Sequence, residues 1–200
     1  MRFVPLEMVP ALEAALSAEI ECGSWTRARD ALAMALGLHG LRVGEVCRAL
    51  RADLFVAGCR LHVATLKGGR PRDVPLHESL VSALLEWRGA AAHHPWLLYT
   101  RPGGQMQRSH LERAARRFTH QVLSESVRFH SLRHTFAMRL YAESHDLFLV
   151  QRLLGHRSIK STEVYLASLA PVPEACLMRI RGDEHHHVAR PRLRLFAPTG

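Results

Sequence analysis

The sequence predicts a mostly α-helical protein with a small antiparallel three-stranded β-sheet among its helices, an α+β arrangement. Three observations predict it. Apolar residues recur at three- and four-residue spacing through most of the chain, the signature of a helix face. Between residues 54 and 76 the pattern changes to alternation, interrupted by turn residues at 57–59 and 67–71. Glycine and proline punctuate the joins.

Taken in order, Leu6, Val9, Leu12, Leu16 and Ile20 make the face of a first helix that Gly23 ends. Thr26 is the expected N-cap of a second helix, with Ala28, Leu32, Ala35 and Leu36 as its apolar face. Gly37 and Gly40 break the chain before a short helix carrying Val43, Val46, Cys47 and Leu50. Strands are expected at 54–56, 60–65 and 72–76, the last at a sheet edge because Pro75 has no N–H to give. Helical spacing returns over 78–87. Residues 90–95 read as a linker, and 101–104 as a loop. A basic amphipathic helix is expected over 105–122, with Leu111, Ala114 or Ala115, Phe118 and Val122 inward and Arg108, Arg113, Arg116 and Arg117 on or near the other side. Further helices are expected over 131–143, 146–154 and 158–169, then a short apolar stretch from Ala175 to Ile180 and a basic tail.

Two hundred residues suffice for one large domain or two small ones with a real core. The 48% hydrophobic and 22% charged composition is that of a globular chain. No apolar run reaches the ~20 residues that cross a bilayer, and Met1–Pro10 lacks the basic and apolar regions of a signal peptide. A cytoplasmic protein is expected. The cysteines at 22, 47, 59 and 176 form no C-x-x-C pair and read as reduced thiols. The formal net charge of +9 comes almost wholly from arginine, since Lys67 and Lys160 are the only lysines. Arginine suits bidentate phosphate contacts, so the charge points toward nucleic acid or an acidic surface.

Five segments stand out together: Gly40-Leu41-Arg42-Val43-Gly44-Glu45, Lys67 in a strand-to-strand turn, His130-Ser131-Leu132-Arg133-His134-Thr135, Leu153-Leu154-Gly155-His156, and Tyr165 nine residues after His156. Phosphoryl transfer on DNA needs a nucleophile, cations on the non-bridging oxygens and a proton for the leaving oxygen. Two arginines, two histidines, a lysine and a tyrosine supply these without a metal or cofactor. Each residue also has a plainer role: Tyr165 as an amphipathic core tyrosine, Lys67 as a solvated turn residue, and the histidines as helix-end polar groups. His134 reads as neighbouring structure.

In joint order and spacing, from about Thr26 to Tyr165, these motifs resemble the tyrosine recombinase (phage integrase) family. Gly40–Glu45 resembles its first arginine box, His130–Thr135 its H-x-x-R box, and Leu154-Gly155-His156 with Tyr165 its nucleophile segment. The resemblance implies that fold family's catalytic domain over 1–180, with a basic tail over 181–200. It implies that Arg42 and Arg133 clamp the scissile phosphate, His130 moves protons, His156 bonds a phosphate oxygen, Lys67 protonates the departing 5′-hydroxyl and Tyr165 forms a 3′-phosphotyrosine. Glu45 would support the arginine. Arg70, Arg72, Arg108 and Arg113 are the expected DNA contacts.

The resemblance further implies double-stranded DNA as partner, a homo-tetramer on two DNA sites, accessory DNA-bending proteins, no ATP, and integration, excision or inversion as outcome. Most relatives carry a helical DNA clamp before the catalytic domain, whereas this chain reaches Arg42 almost at once, so weak monomeric binding is expected. Residues 175–180 are the expected apolar anchor between protomers, with Arg190, Arg192 and Arg194 in a DNA-attracting tail. Two alternatives stay open. A type IB topoisomerase uses a similar residue set, but would relax supercoils without paired sites. A DNA-binding regulator on the same fold would form no covalent adduct.

Overall fold

The computed structural model describes residues 3–22, 24–64, 71–89, 94–101 and 103–155. Helix α1, Val9–Glu21, carries Pro10 in its first turn and buries Val9, Leu12 and Leu16. These three fall on one helical stripe, and they press that stripe against α2, Trp25–Leu38. Helix α2 is the centre of the molecule. Every residue from Ala28 to Leu38 is buried, because α1, α4, α5 and α6 surround it. Its alanines let those neighbours approach closely. Ser24, in an extended conformation, occupies the N-cap, so Thr26 lies inside the helix and not at its cap. Each fully buried leucine of this core is worth about 2 kcal/mol of transfer free energy.

Gly40 stands beyond the end of α2 with φ +89°. A Cβ there would lie 2.7 Å from the Phe136 ring, so only glycine fits both the backbone and the space. The chain then enters α3, Val43–Val46. The sheet follows, with β1 Leu54–Phe55, β2 Arg60–Val63 and β3 Arg72–Pro75 in the order β1-β2-β3, all antiparallel. Leu61 pairs with both Leu54 and Val74, and all three are buried. Strand β3 is an edge strand, the position expected from Pro75.

After α4, Glu78–Gly89, residues 94–101 lie back along the start of the sheet region: Leu97 N–H donates to Ala49 O at 2.8 Å. Trp25, Trp87 and Tyr99 pack with ring centroids 4.9–5.5 Å apart. Helix α5 is Arg108–Leu123. It begins three residues later than expected because Gln105 is held in a bridge with Tyr99. It buries Leu111, Ala114, Ala115 and Thr119 and exposes Arg113, Arg116 and Arg117. Helix α6, Phe129–Ser144, is buried along most of its length. Helix α7, Leu147–Leu154, is capped by the Asp146 carboxylate, which accepts from Leu149 N at 2.9 Å. Phe136, Met138, Leu140, Val150 and Leu154 join α6 to α7 in a small second core. The expected helix over 158–169 and the apolar stretch 175–180 lie outside the described residues. Among the described residues no helix is long and apolar enough to cross a membrane.

Candidate active site

The site forms where α3, β3, α6 and the end of α7 converge, and Glu45 is the group they share. At the start of α3, the Glu45 side chain turns back to accept the Arg42 backbone N–H at 2.7 Å, and its other oxygen accepts from Arg42 Nη1 at 2.8 Å. This is the backward half of a capping box, so forming α3 is enough to orient Arg42. From β3, Arg72 donates Nη1 to Glu45 Oε1 at 3.0 Å and Nη2 to Oε2 at 2.9 Å. From α6, Arg133 places Nη1 3.7 Å from Oε2. One carboxylate thus faces three guanidiniums.

The electrostatics follow from burial. The Glu45 side chain is only 7% exposed. Burial pushes its carboxyl up, but the hydrogen bonds and charge of Arg72, the Arg42 N–H and the charge of Arg133 together outweigh it and hold the group at about 2. The three arginines differ in access. Arg42 is 38% exposed, Arg72 6% and Arg133 0%. Arg133 donates Nη1 to Gly40 O and Nη2 to Leu154 O, each at 2.6 Å, so the positive-φ glycine is also the source of an acceptor for this arginine.

His130 sits in the first turn of α6, exposed at the rim. Desolvation, then the nearby Arg133 and Arg42 cations, lower its pKa below the usual histidine value, while Glu112 pulls the other way. Its ring stands edge-on to His134, centroids 4.4 Å apart. Glu112 of α5 also accepts the Phe129 N–H at 3.1 Å, which satisfies one of the open donors at the start of α6.

The structure therefore brings Arg42, Glu45, His130 and Arg133 together. Lys67, Arg70, His156 and Tyr165 lie outside the described residues. Arg108 packs over α3 beside Gly44, and Arg113 is exposed on α5. Arg72 requires a correction. Expected on the DNA backbone, it points inward, 8% exposed, and its donors go to Glu45 and to Leu153 O. The strand pattern carried the signal: β3 reads buried, exposed, buried, exposed, so Arg72 shares the inward face of Val74. Glu112 was also missed, and no local pattern marks it.

Outside this site, Arg29 and Asp30 of α2 form a buried pair, Nη2 to Oδ1 at 2.7 Å, and His110 at the start of α5 lies 3.0 Å from both Asp30 oxygens. Among the described residues, no three His, Cys, Asp or Glu side chains group closely enough to hold a metal ion.

The model described as the phage integrase family matches residues 8–170. The tyrosine recombinase XerC of Agrobacterium fabrum is 35% identical over 169 residues, 80% of this chain and 51% of that protein. The type 1 fimbriae regulatory protein FimB of Escherichia coli K12 is 29% identical over 164 residues, covering 76% of this chain and 78% of FimB. The chain thus spans about half the length of the XerC relatives it matches. Among solved structures, XerH site-specific recombinase bound to difH substrate in a pre-cleavage complex superposes with a TM-score of 0.76 at 25% identity, covering 90% of this chain and 54% of XerH. XerA recombinase superposes with a TM-score of 0.70 at 24% identity over 89% of this chain and 63% of that one.

Proposed function

The chain belongs to the phage integrase family, and from that premise we propose that it cuts and rejoins double-stranded DNA at specific sites through a covalent bond to Tyr165. The observation that carries this reading is the meeting of Arg42, at the start of α3, and Arg133, from α6, on the Glu45 carboxylate. Two guanidiniums gathered at one carboxylate supply the cationic donors that a phosphate gathering charge requires. The family match runs through His156 and past Tyr165.

The reaction is a transesterification. The Tyr165 oxygen bonds to phosphorus and the bond from phosphorus to the 5′-oxygen breaks. The proton of the phenol passes to His130, which is neutral near pH 7 because its pKa is lowered. Lys67 gives a proton to the departing 5′-oxygen. Arg42, the exposed arginine, meets the phosphate first. Arg133 is enclosed here, so its engagement requires the surrounding chain to give way as DNA seats. His156 bonds a non-bridging oxygen. The phosphodiester's energy is kept in the phosphotyrosine, and a 5′-hydroxyl from another strand reverses the step, so ATP is not consumed. Exchange between two sites requires four protomers, and the basic face of α5, with Arg108 and Arg113, supplies phosphate contacts.

The test is a pool of nicked duplexes of randomised sequence, in which cleavage beside the nick releases a short strand and traps the adduct. The full chain should retain DNA covalently at Tyr165, and Tyr165→Phe should retain none. An adduct formed by Tyr165→Phe, or none by the unaltered protein, defeats the reading.

A further inference from the structure

Resting on the strand-transfer reading above, we propose that Arg72 is a positioning residue for the reaction, locking the end of α7, from which the His156–Tyr165 segment departs, to the carboxylate that holds Arg42. The last carbonyls of a helix have no partner within it. At the end of α7 two of these carbonyls are taken by arginines from elsewhere: Leu153 O by Arg72 Nε at 2.8 Å, and Leu154 O by Arg133 Nη2 at 2.6 Å.

The two arginines are not equivalent. Arg133 is the one that must turn toward a phosphate, and its donors are then shared. Arg72 faces no such demand. Its Nη1 and Nη2 span both oxygens of Glu45 while its Nε reaches α7, so one planar fork joins β3, α3 and α7. The next residue confirms how closely the parts fit. Gly155 has φ +65°, and a Cβ on it would lie 3.0 Å from Arg72 Cδ. The backbone at Gly155, beyond the end of α7, lies directly against the stem of Arg72. In sequence, strand β3 also follows the segment that holds Lys67.

Lysine can keep the charge beside Glu45 but cannot make three divergent hydrogen bonds from fixed positions. The experiment uses the full chain and a nicked duplex that the unaltered protein selects from the randomised pool. It measures folding by circular dichroism, DNA affinity, and the rate of adduct formation at saturating DNA for Arg72→Lys, Gly155→Ala and Lys67→Met. Each rate is taken on the ordinary duplex and on one with sulfur as the bridging 5′ atom, a leaving group that departs without a proton. Arg72→Lys should fold and bind DNA as the unaltered protein does, yet form adduct about 10²-fold more slowly, the usual scale for a displaced reacting group. Sulfur should restore Lys67→Met but not Arg72→Lys. Gly155→Ala, which presses on Arg72 from the other side, should show the same unrestored defect and serves as the measure if Arg72→Lys does not fold. Adduct formation by Arg72→Lys at the unaltered rate, or its restoration by sulfur, overturns the proposal while leaving the strand-transfer reading intact. Failure of the unaltered protein to form any adduct removes both.

Discussion

Arg42 and Glu45 close on each other twice, through the backbone N–H at 2.7 Å and through the guanidinium at 2.8 Å. The same carboxylate then serves Arg72 and lies near Arg133, so its negative charge is what allows three cations to stand together.

Glu45→Gln should therefore destabilise the fold by about 3 kcal/mol, as when one partner of a buried ion pair is removed, measured by urea denaturation at neutral pH. The dependence on acid has a definite sign. The folded pKa, about 2, is below the ordinary 4.5, so the folded state binds fewer protons than the unfolded chain. This stabilisation is complete above pH 4.5 and is lost as pH falls toward 2, on the order of 3 kcal/mol in all. The Gln variant should lack that limb.

His39 gives a second limb at higher pH. It is fully buried, and burial lowers its pKa from 6.5 to about 4. Its Nδ1 donates to Ala35 O at 2.8 Å, and its Nε2 accepts the His77 N–H at 3.4 Å, which only a neutral ring can do. Protonation then favours the unfolded chain. Stability should be intact above pH 6.5 and fall by about 3 kcal/mol on the way to pH 4. Denaturation of His39→Gln over the same range should be flat by comparison.

His130 concerns rate rather than stability. With its pKa lowered from 6.5, it accepts a proton at neutral pH. Adduct formation at saturating DNA should decline in acid with an inflection below 6.5. His130→Gln should lose the inflection and run about 10²-fold slower or worse. An unchanged pH profile in that variant would move the proton transfer to another group.

Asp30 tests the fold away from the site. Asp30→Ala leaves the Arg29 side chain, 5% exposed, without its carboxylate. A loss of roughly 3 to 5 kcal/mol is expected, seen as a fall in Tm of roughly 10 °C. Covalent capture of DNA at 25 °C should persist.

Much of this was legible in the sequence. Alternation fixed the three strands, and the pairing of Leu61 with Leu54 and Val74 is the register that buries the apolar set. The boundaries were less so. Ser24 caps α2 in place of Thr26, because an extended backbone at the cap is set by how the chain enters from α1. Helix α5 starts at Arg108, because Gln105 is held by Tyr99, a partner no helical pattern reveals. Of the candidate site, the membership of Arg42, Glu45, His130 and Arg133 could be read from motifs. Their common dependence on Glu45 could not, since it needs contacts between α3, β3 and α6. The charge count favoured arginines on DNA and so misread Arg72, whose alternation with Val74 was the better guide.

Arg133 Nη1 meets Gly40 O across 93 residues of chain. At 5–20 residues per second, a ribosome needs roughly 5 to 19 seconds to supply the second partner after the first. Throughout that interval Arg42 has no companion cation from α6. A nascent polypeptide that has reached α3 therefore carries Arg42 without Arg133, and the two guanidiniums can gather on one carboxylate only once α6 has been made.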